Sequence, residues 1–477
     1  MSPRVVVVGG GIAGLTAAWR LASAPGEREV LLLEATGRTG GPLQRAELAD
    51  GLLVDVGAES LLARRTEATG LAAELGLGGD LVAPATTRAA VASRGALHPM
   101  PKGTVMGVPG DPGALAGLLT AEEVARAQHE QVGPPISGDV AVAAWVADRL
   151  GPAVVDRLVE PLLGGVYAGH SAGLSLRATV PALWPAARDG APVLDAVRAT
   201  AARAGAAQGA GTAAGGGVFA GVRGGVARLA EQLTAALPRV GVAVRLGARV
   251  RSLAPAPGGR GWRLQLAGGE VLAADAVVLA VPPGPASALL EAVAPVAAAG
   301  LAQVPTASLA LCTLLLPPGA LDAATDDAGA PLSGVLVPPV EGRLVKAMTF
   351  ASRKWSWVGE AAGGAEVLRL SVGRHGEAEA LALPDAELLA AAAADAAQVL
   401  DLELAPTASL VTRWSDALPQ YGVGHVERVE QVRAAVAEHP GLAVAGATYD
   451  GVGVPATIAS AGRAASQVLE HLAARAA

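Results

Sequence analysis

Residues 4–14, with the sequence RVVVVGGGIAG, decide the fold. The apolar run at residues 4–8 is typical of a strand buried on both faces of a parallel sheet, and a helical pattern follows it through Leu21. A second apolar run covers residues 29–33 and ends at Glu34. Strand, glycine turn, helix and strand in this order predict a βαβ unit in an α/β protein.

The spacing of the glycines predicts a dinucleotide site. Gly9 allows a tight turn, Gly11 removes a side chain that would block a phosphate, and Gly14 lets the helix pack closely on the strand. The helix N-terminus adds free N–H groups and the positive end of the helix dipole. Glu34 lies 20 residues beyond Gly14, where its carboxylate can bind both hydroxyls of an adenosine ribose and would repel a 2′-phosphate. We therefore expect a dinucleotide other than NADP.

An arginine and paired glycines favour FAD over NAD. The sequence RTGG at residues 38–41 follows shortly after Glu34, and DVGAES at residues 55–60 comes next. An arginine two residues before paired glycines resembles the extended signature of FAD enzymes of the glutathione-reductase-like and amine-oxidase-like class. The alternative is an ordinary glycine turn with a surface arginine.

A second glycine-rich turn lies near the other end of the sequence. Residues 446–455, GATYDGVGVP, precede a helix of small residues at 459–465. Such a turn can present N–H groups to the pyrimidine end of a flavin, and two ligand-binding turns so far apart imply a discontinuous cofactor domain. Cys312 is distant in sequence from this turn and lies in an apolar strand, so we expect it in the core and FAD bound noncovalently.

Composition limits the remaining classes. The 477 residues are 52% apolar and 17% charged, which indicates a globular protein of two or three domains. A net charge of -7 gives no general attraction for nucleic acid, and one cysteine excludes a disulfide and a cysteine cluster for a metal. The apolar run at the amino terminus is too short for a signal-peptide core, and no apolar stretch is long enough to span a membrane. We expect a cytoplasmic protein and leave open a peripheral contact with the inner face of the membrane.

The remaining patterns predict the order of elements. Residues 71–214 read as mostly helical, and the Ala/Gly-rich stretch 199–217 reads as a mobile loop or linker. Strands are expected at 242–246, 249–253, 262–266, 276–281, 307–316, 333–338, 344–350, 366–372 and 442–445. Long helices are expected at 385–400 and 457–474.

Several further segments point to one family. They are MPKGTVMGVP at 100–109, EPLLGGVYAG at 160–169, LSLRAT at 174–179, RW at 413–414, LPQYGVGH at 418–425 and the turn at 446–455. In this order they resemble the oxygen-dependent protoporphyrinogen/coproporphyrinogen oxidase family of haem biosynthesis. Two positions depart from the family pattern: Pro42 lacks the N–H that many relatives have there, and Ala456-Thr457 replaces a commoner Asp-Cys pair.

The resemblance implies an α/β fold with three regions. A split Rossmann-like FAD domain would comprise residues 1–90, 215–300 and 411–477, a mainly helical domain residues 91–214, and an α+β substrate domain residues 301–410. The residues expected to bind the cofactor, from the motifs and the resemblance together, are Gly9, Gly10, Gly11, Ile12, Ala13, Gly14, Glu34, Ala35, Arg38, Gly41, Pro42, Gly57, Ala58, Glu59, Ser60, Val250, Trp414, Gly446, Ala447, Val452, Gly453 and Val454.

The resemblance also implies a reaction. A porphyrinogen loses six electrons in three hydride transfers to flavin, and O₂ reoxidises the flavin and gives H₂O₂. No catalytic acid or base is nominated, because positioning alone can supply much of the rate enhancement. Arg65 is the first candidate to bind a propionate; the other substrate candidates are Lys102, Tyr167, Gly169, Arg177 and Arg343.

We predict coproporphyrinogen III as the substrate, since the motifs resemble the bacterial branch that oxidises it. Protoporphyrinogen IX oxidation is the first alternative. An amine oxidase or carotenoid desaturase on the same fold is the second, although an aromatic cage is hard to build from three tyrosines, two phenylalanines and seven tryptophans. A tetrapyrrole- or flavin-binding protein without turnover is the third. The expected partners are porphyrinogen, O₂ and a downstream ferrochelatase.

Overall fold

Strands and helices alternate throughout the part of the chain that the computed structural model describes, residues 2–209, 218–326 and 328–476. Its strands are β1 Arg4–Val8, β2 Glu29–Leu33, β3 Arg45–Ala49, β4 Leu52–Asp55, β5 Leu61–Leu62, β6 Leu81–Val82, β7 Ala89–Ser93, β8 Ala96–Pro99, β9 Thr104–Val105, β10 Val108–Pro109, β11 Phe219–Val222, β12 Val242–Arg245, β13 Val250–Pro255, β14 Trp262–Leu266, β15 Val271–Ala274, β16 Ala276–Leu279, β17 Thr306–Leu316, β18 Gly334–Leu336, β19 Val345–Phe350, β20 Glu366–Val372, β21 Ala408–Pro419 and β22 Leu442–Val444.

The described helices are α1 Ile12–Ser23, α2 Thr66–Glu74, α3 Ala121–Gln128, α4 Val142–Leu150, α5 Pro152–Val154, α6 Glu160–Tyr167, α7 Leu176–Thr179, α8 Trp184–Asp189, α9 Val193–Gly209, α10 Arg228–Ala236, α11 Pro283–Leu290, α12 Pro295–Ala302, α13 Ala351–Lys354, α14 Ser356–Ala361, α15 Asp385–Leu400, α16 His425–Ala437, α17 Ala447–Asp450 and α18 Val454–Ala476. A π-helical turn at Val155–Val159 joins α5 to α6.

The first apolar run forms the middle of a parallel sheet. The sheet has the order β12-β2-β1-β16-β22, and every pair in it is parallel. Val5 and Val7 pack on one side with α1, α10 and α18, whereas Val6 and Val8 pack on the other with α11, α12 and α16. Burial on both faces explains the unbroken run of valines and confirms the predicted βαβ unit.

A seven-stranded sheet forms the second large layer. Its order is β21-β17-β20-β19-β18-β7-β8, and its pairs are antiparallel except β18 with β7. α15 covers one face, where it packs on alternate residues such as Cys312, Met348 and Leu370. Helices α4 to α9 form a third core around Trp145, which meets the opposite face at Val91.

Most of the expected elements are present. Strands β2, β14 and β20 and helix α15 have the predicted bounds, and the other predicted strands agree to within a few residues. The predicted mixed α/β fold is confirmed, and Cys312 is buried in the core as expected. Among the described residues, no helix combines the length and apolar character that crossing a membrane requires.

Two expectations are wrong. Residues 199–209 belong to α9 rather than to a loop, because the alanines of this stretch are strong helix formers; residues 210–217 lie outside the described part. The region 71–214 also contains strands: β7 and β8 join the seven-stranded sheet through β18. The sequence of β7, AAVAS, has one β-branched residue and pairs with a distant segment, so no local signal marked it.

Strand β21 extends to Pro419 and therefore crosses the predicted limit at residue 410. The division into three domains with those limits stays a prediction.

Candidate cofactor and substrate site

Residues 9–14 form a turn that we call the first cradle. Its glycines are required for different structural reasons. A Cβ on Gly9 would lie 2.3 Å from the Ala280 carbonyl oxygen, and one on Gly14 would lie 1.7 Å from the Gly9 oxygen. A Cβ on Gly11 would meet nothing within 4 Å. Gly9 and Gly14 thus serve chain packing, whereas Gly11 faces open space at the N-terminus of α1. That N-terminus has no side-chain cap and no acidic residue in its first turn, so its N–H groups are suited to an anion.

The Arg38–Pro42 turn lies directly against the first cradle. Gly40 N donates to the Gly10 oxygen at 2.8 Å, and a Cβ on Gly41 would be 3.4 Å from Gly11 Cα. Arg38 donates to the Gly41 oxygen at 2.9 Å, and its guanidinium lies 5.7 Å from the centre of the Trp414 ring. The predicted arginine therefore shapes the loop that borders the cradle.

Glu34 lies beside the same cradle. Its Oε2 accepts from Gly10 N at 2.7 Å, and its Oε1 accepts from the N–H and hydroxyl of Thr36 at 2.7 Å each. A carboxylate has about four acceptor positions, so Glu34 keeps about one for a ribose hydroxyl. Ala35 is exposed next to it, and Val250 follows Ala248, whose N–H donates to the Glu34 carbonyl at 2.8 Å.

Residues 56–60 form a turn, which we call the 56–60 turn. Hydrogen-bond donors on the seven-stranded sheet hold it in place. Trp414 Nε1 donates to the Val56 oxygen and Arg369 Nη2 to the Gly57 oxygen, each at 2.7 Å. A Cβ on Gly57 would lie 1.8 Å from the Pro42 oxygen, so only glycine fits where this turn meets the Arg38–Pro42 turn. The two turns therefore have one fixed arrangement.

Glu59 anchors the 56–60 turn through a buried ion network. Its carboxylate pairs with Lys354 at 2.7 Å and with Arg369, and Lys354 also donates to Ser60 Oγ at 2.9 Å. Burial opposes ionisation of Glu59, but the charges of Lys354 and Arg369 outweigh it and lower its pKa to about 2. The side chain of Glu59 thus binds the protein, so the turn would meet a cofactor through its other groups.

The terminal turn, residues 446–455, is held by aromatic side chains. Tyr421 OH donates to the Ala447 oxygen and accepts from Gly451 N at 2.8 Å. His425 stacks on the Tyr421 ring with centroids 4.0 Å apart, and its Nε2 lies 3.0 Å from the Thr448 oxygen. Burial lowers the pKa of His425 to about 4, so its imidazole is neutral near pH 7 and its role is structural.

Packing of α18 on α1 brings the terminal turn to the first cradle. The two helices share one core cluster, to which Val454 at the start of α18 and Ala58 of the 56–60 turn also pack. Val452 and Gly453 immediately precede α18. Two helix N-termini and the 56–60 turn therefore surround one region, as expected for a site formed from distant parts of the sequence.

A half-exposed surface of apolar and hydroxyl side chains continues from this region along the seven-stranded sheet. Along these strands, every second side chain packs toward α15, and the side chains between them point to the opposite face of the sheet. We call the half-exposed residues on that opposite face the open face. They are Leu309, Leu311, Leu336, Ala347, Thr349, Ser371 and Thr412. Trp414 and Arg369 lie on the same face at the 56–60 turn. α6 crosses the other end, where a Cβ on Gly165 would be 3.6 Å from Leu336.

Two predicted substrate residues lie where α6 ends. The Tyr167 ring is 5.6 Å from that of Tyr421, and its carbonyl accepts from Gln420 Nε2 at 2.7 Å. A Cβ on Gly169 would collide with Gln420 Oε1 at 1.9 Å, so glycine is required there for packing. Burial raises the pKa of Tyr167 to about 12.

The predicted basic residues are dispersed. Arg65 precedes α2, pairs with Glu67 at 2.5 Å and is close enough to Asp450 of the terminal turn for that charge to help raise its pKa, after Glu67. Lys102 is exposed in the loop before β9. Arg177 pairs with Glu427 on α16. Arg343 binds Gln398 of α15 at 2.6 Å, on the side away from the open face, so the structure does not bring it to the site.

Sequence reasoning missed the groups that hold the turns. Lys354, Arg369, Gln420 and Tyr421 were not predicted as site residues. Arg369 had a signal, because an arginine between Leu368 and Leu370 in a predicted strand indicates a buried ion pair. Tyr421 and Gln420 lie in a quoted motif, but their backbone partners depend on tertiary structure.

These features define a flavin oxidoreductase. Residues 12–469 match the sequence model of the family of flavin-containing amine oxidoreductases. The chain belongs to that family. This membership confirms the prediction of FAD. The chain is 41% identical over 478 residues to a Mycobacterium tuberculosis protein named coproporphyrinogen III oxidase, and the match covers 99% of each. It is 30% identical over 498 residues to protoporphyrinogen oxidase of Bos taurus, covering 98% of this chain and 99% of that one.

A solved structure has the same fold over nearly the whole chain. The Exiguobacterium sp. protein, provisionally assigned as a protoporphyrinogen oxidase, superimposes with a TM-score of 0.84 at 31% identity, covering 98% of this chain and 99% of its own.

The residues present fit FAD. Gly11 leaves open space next to the first cradle, Glu34 has about one acceptor position left, and uncapped helix α1 suits an anion. Cys312 lies in the core beneath α15, and burial raises the pKa of its thiol to about 11, so a covalent link to the single cysteine does not fit. FAD, when bound, accepts a hydride and is reoxidised by O₂.

A matched pair of glycine substitutions tests the first cradle. Gly11→Ala should fold normally, because Gly11 has φ −70° and ψ 178° and a Cβ there meets no protein atom. It should raise the Kd for FAD roughly tenfold to a hundredfold, the equivalent of one charge-assisted hydrogen bond. Gly14→Ala should instead lower stability by about 3 kcal/mol through overpacking. Flavin fluorescence titration and thermal melting check both; normal FAD binding by Gly11→Ala would contradict the cradle.

A second matched pair tests the anchoring of the 56–60 turn. Arg369→Met removes the donor to the Gly57 oxygen and one partner of Glu59, so the Kd for FAD should rise about tenfold. Arg353→Met is the control, because Arg353 pairs with a different carboxylate, Glu366, at 2.7 Å. Its side chain is 12% exposed, close to the 7% of Arg369. Both variants should lose about 3 kcal/mol or more of stability. An equal loss of FAD affinity in the control would show that the effect is not specific to the turn.

The ion network also predicts an acid-sensitive contribution to stability. The pKa of Glu59 is about 2 when folded and near 4.5 when unfolded, so its contribution is complete above pH 4.5 and is lost as the pH falls toward 2. That contribution is about 3 kcal/mol. Urea unfolding of the FAD-loaded protein at pH 5 and pH 3 should show a smaller pH effect in Glu59→Gln than in the parent chain. Identical pH effects would exclude Glu59 as the source.

Proposed function

We propose that this chain oxidises coproporphyrinogen III to coproporphyrin III, with FAD as the hydride acceptor and O₂ as the final acceptor. The observation that carries the proposal is the full-length similarity, at 41% identity, to an enzyme named for this reaction. The geometry supports it, because the open face adjoins the turns that we propose as the cofactor site.

The open face supplies binding without acid–base chemistry. Leu309, Leu311 and Leu336 offer apolar contact, and burying such side chains against a macrocycle is favourable by about 25 cal/mol per Å². The face is fixed on one side by α15 and bordered by α6, so the substrate would be positioned by rigid elements. Arg65 remains our proposal for a propionate partner near the terminal turn.

Protoporphyrinogen IX oxidation is the second candidate. The Bos taurus relative carries that name, and the similarity to it also covers the whole chain. The lower identity, 30% against 41%, places it second. An amine-oxidase reaction has less support, because it calls for an aromatic cage and Tyr421 is already used elsewhere. The OH of Tyr421 is bound to the backbone of the terminal turn, and its ring is stacked on His425. A carotenoid desaturase and a binding protein without turnover have no specific observation in their favour.

The remaining partners are proposals as well. We propose that O₂ and a porphyrinogen are the reactants, that the protein acts in the cytoplasm or at the inner face of the membrane, and that a ferrochelatase follows it. The family resemblance is their support.

Aerobic turnover tests the proposed function. The FAD-loaded protein should convert coproporphyrinogen III to a fluorescent porphyrin, with about three H₂O₂ per porphyrin as the six-electron stoichiometry requires. Parallel reactions contain protoporphyrinogen IX, and reactions without enzyme correct for autoxidation. Faster turnover of protoporphyrinogen would reverse the choice of substrate. No stimulated porphyrin formation from either compound would refute the function.

A further inference from the structure

Two buried cations lie at the end of the seven-stranded sheet, outside the groups used above. Lys346 and Arg374 are each 5% exposed. Lys346 Nζ donates to the Gly373 oxygen at 2.5 Å, and Arg374 Nη2 donates to the Val337 oxygen at 3.2 Å. Both bonds are to neutral carbonyls, so neither cation has a buried carboxylate as its direct partner among these contacts.

The surrounding charges do not balance the cations. The carboxylate nearest to Arg374 is Glu377, 3.4 Å away and 48% exposed. Glu377 is shared with His170 at 3.1 Å, and His170 also contacts Glu160 at 2.8 Å. The hydrogen bond to Glu160 raises the pKa of His170, whereas burial lowers the pKa of Lys346 to about 7. Among the described residues, Glu377 is the one carboxylate within ion-pair distance of Arg374, and it is shared with His170. A buried cation without full compensation costs free energy, which an incoming anion would relieve.

The cluster adjoins the open face at its far end. Lys346 occupies the β-bulge of β19, between Val345 of the α15-facing core and Ala347 of the open face. His375 N donates to the Ala168 oxygen at 2.6 Å, which places the cluster against the end of α6.

The cofactor turn lies at the opposite end of the same strand. Arg369 of β20 contacts the 56–60 turn, and Arg374 lies two residues beyond the end of β20, at most about 16 Å from Arg369 along an extended chain. This separation is comparable to the width of a tetrapyrrole. A macrocycle on the open face with one edge near the cofactor turn would present its other edge to Lys346 and Arg374.

We propose that Lys346 and Arg374 form a second carboxylate-binding pocket, which receives propionates at the edge of the tetrapyrrole farthest from the 56–60 turn. The inference rests on the proposed function and deepens it. A substrate with four propionates has carboxylates at both edges, whereas one with two adjacent propionates has them at one edge. The pocket therefore selects the tetracarboxylate.

A purely structural role makes a different prediction. If the two cations only join the ends of β18, β19 and β20 through the Val337 and Gly373 carbonyls, their loss would lower stability and leave selectivity unchanged. Lys346→Met keeps the length of the side chain and removes the buried charge, so it separates the two roles.

The experiment compares two substrates and two variants. With FAD-loaded protein, Lys346→Met should raise KM for coproporphyrinogen III about tenfold, as expected for one charge-assisted hydrogen bond, with little change in kcat. KM for protoporphyrinogen IX should change less than about twofold. Lys346→Arg keeps the charge and should retain the preference. Arg353→Met is the control, because Arg353 pairs with Glu366, outside the cluster of Lys346 and Arg374, and it should leave the ratio of the two KM values unchanged.

A binding measurement separates this inference from the proposed function. Titration with coproporphyrin III and protoporphyrin IX, followed by quenching of tryptophan fluorescence, needs no turnover. Lys346→Met should weaken binding of the tetracarboxylate alone, with a melting temperature close to that of the parent. Equal effects on both porphyrins, or no effect, would overturn the pocket even if the parent enzyme oxidises coproporphyrinogen. Absence of turnover in the parent, with selective binding intact, would refute the function and leave the pocket standing. If Lys346→Met does not fold, Arg374→Gln in the same titration decides.

Discussion

The packing of α1 against α18 is the constraint on which the rest of the site depends. The helices come from opposite ends of the sequence and share one core with the parallel sheet. Because their N-termini start next to the glycine turns, this packing brings two sets of backbone N–H groups to one region. The small residues Ala461, Ala464 and Ala465 of α18 are fully buried in this contact, which allows the close approach.

The ion network at Glu59 joins this region to the seven-stranded sheet. Arg369 and Trp414 stand on different strands of that sheet, and both donate to carbonyls of the 56–60 turn. A displacement of the sheet would therefore change the turn as well. We regard this coupling as the reason that one surface can serve for both cofactor and substrate, since the distance between the two is fixed by buried, charge-assisted contacts.

Much of the fold could be predicted, because its signals are local. The valine run of β1, the glycine spacing and the Ala-rich periodicity of α15 each reflect burial or backbone geometry within a short stretch. Strands β7 and β8 could not, since they are stabilised by pairing with β18 far along the chain. The same difference applies to the site. Gly11 and Glu34 belong to a motif, whereas Lys354 acts through a contact with Glu59 that only the tertiary structure creates. Arg343 is the opposite case. Its charge suited a propionate partner, but the sequence does not show on which side of the sheet it lies, and in the structure it binds Gln398 of α15.

The central claim is that the first cradle and the terminal turn bind the same FAD. Hydrogen–deuterium exchange measured with and without FAD tests it most directly. The account predicts that added FAD slows exchange both in the peptide containing residues 9–14 and in the peptide containing residues 446–457. Protection of only one of these peptides, with the other unchanged at saturating FAD, would contradict it.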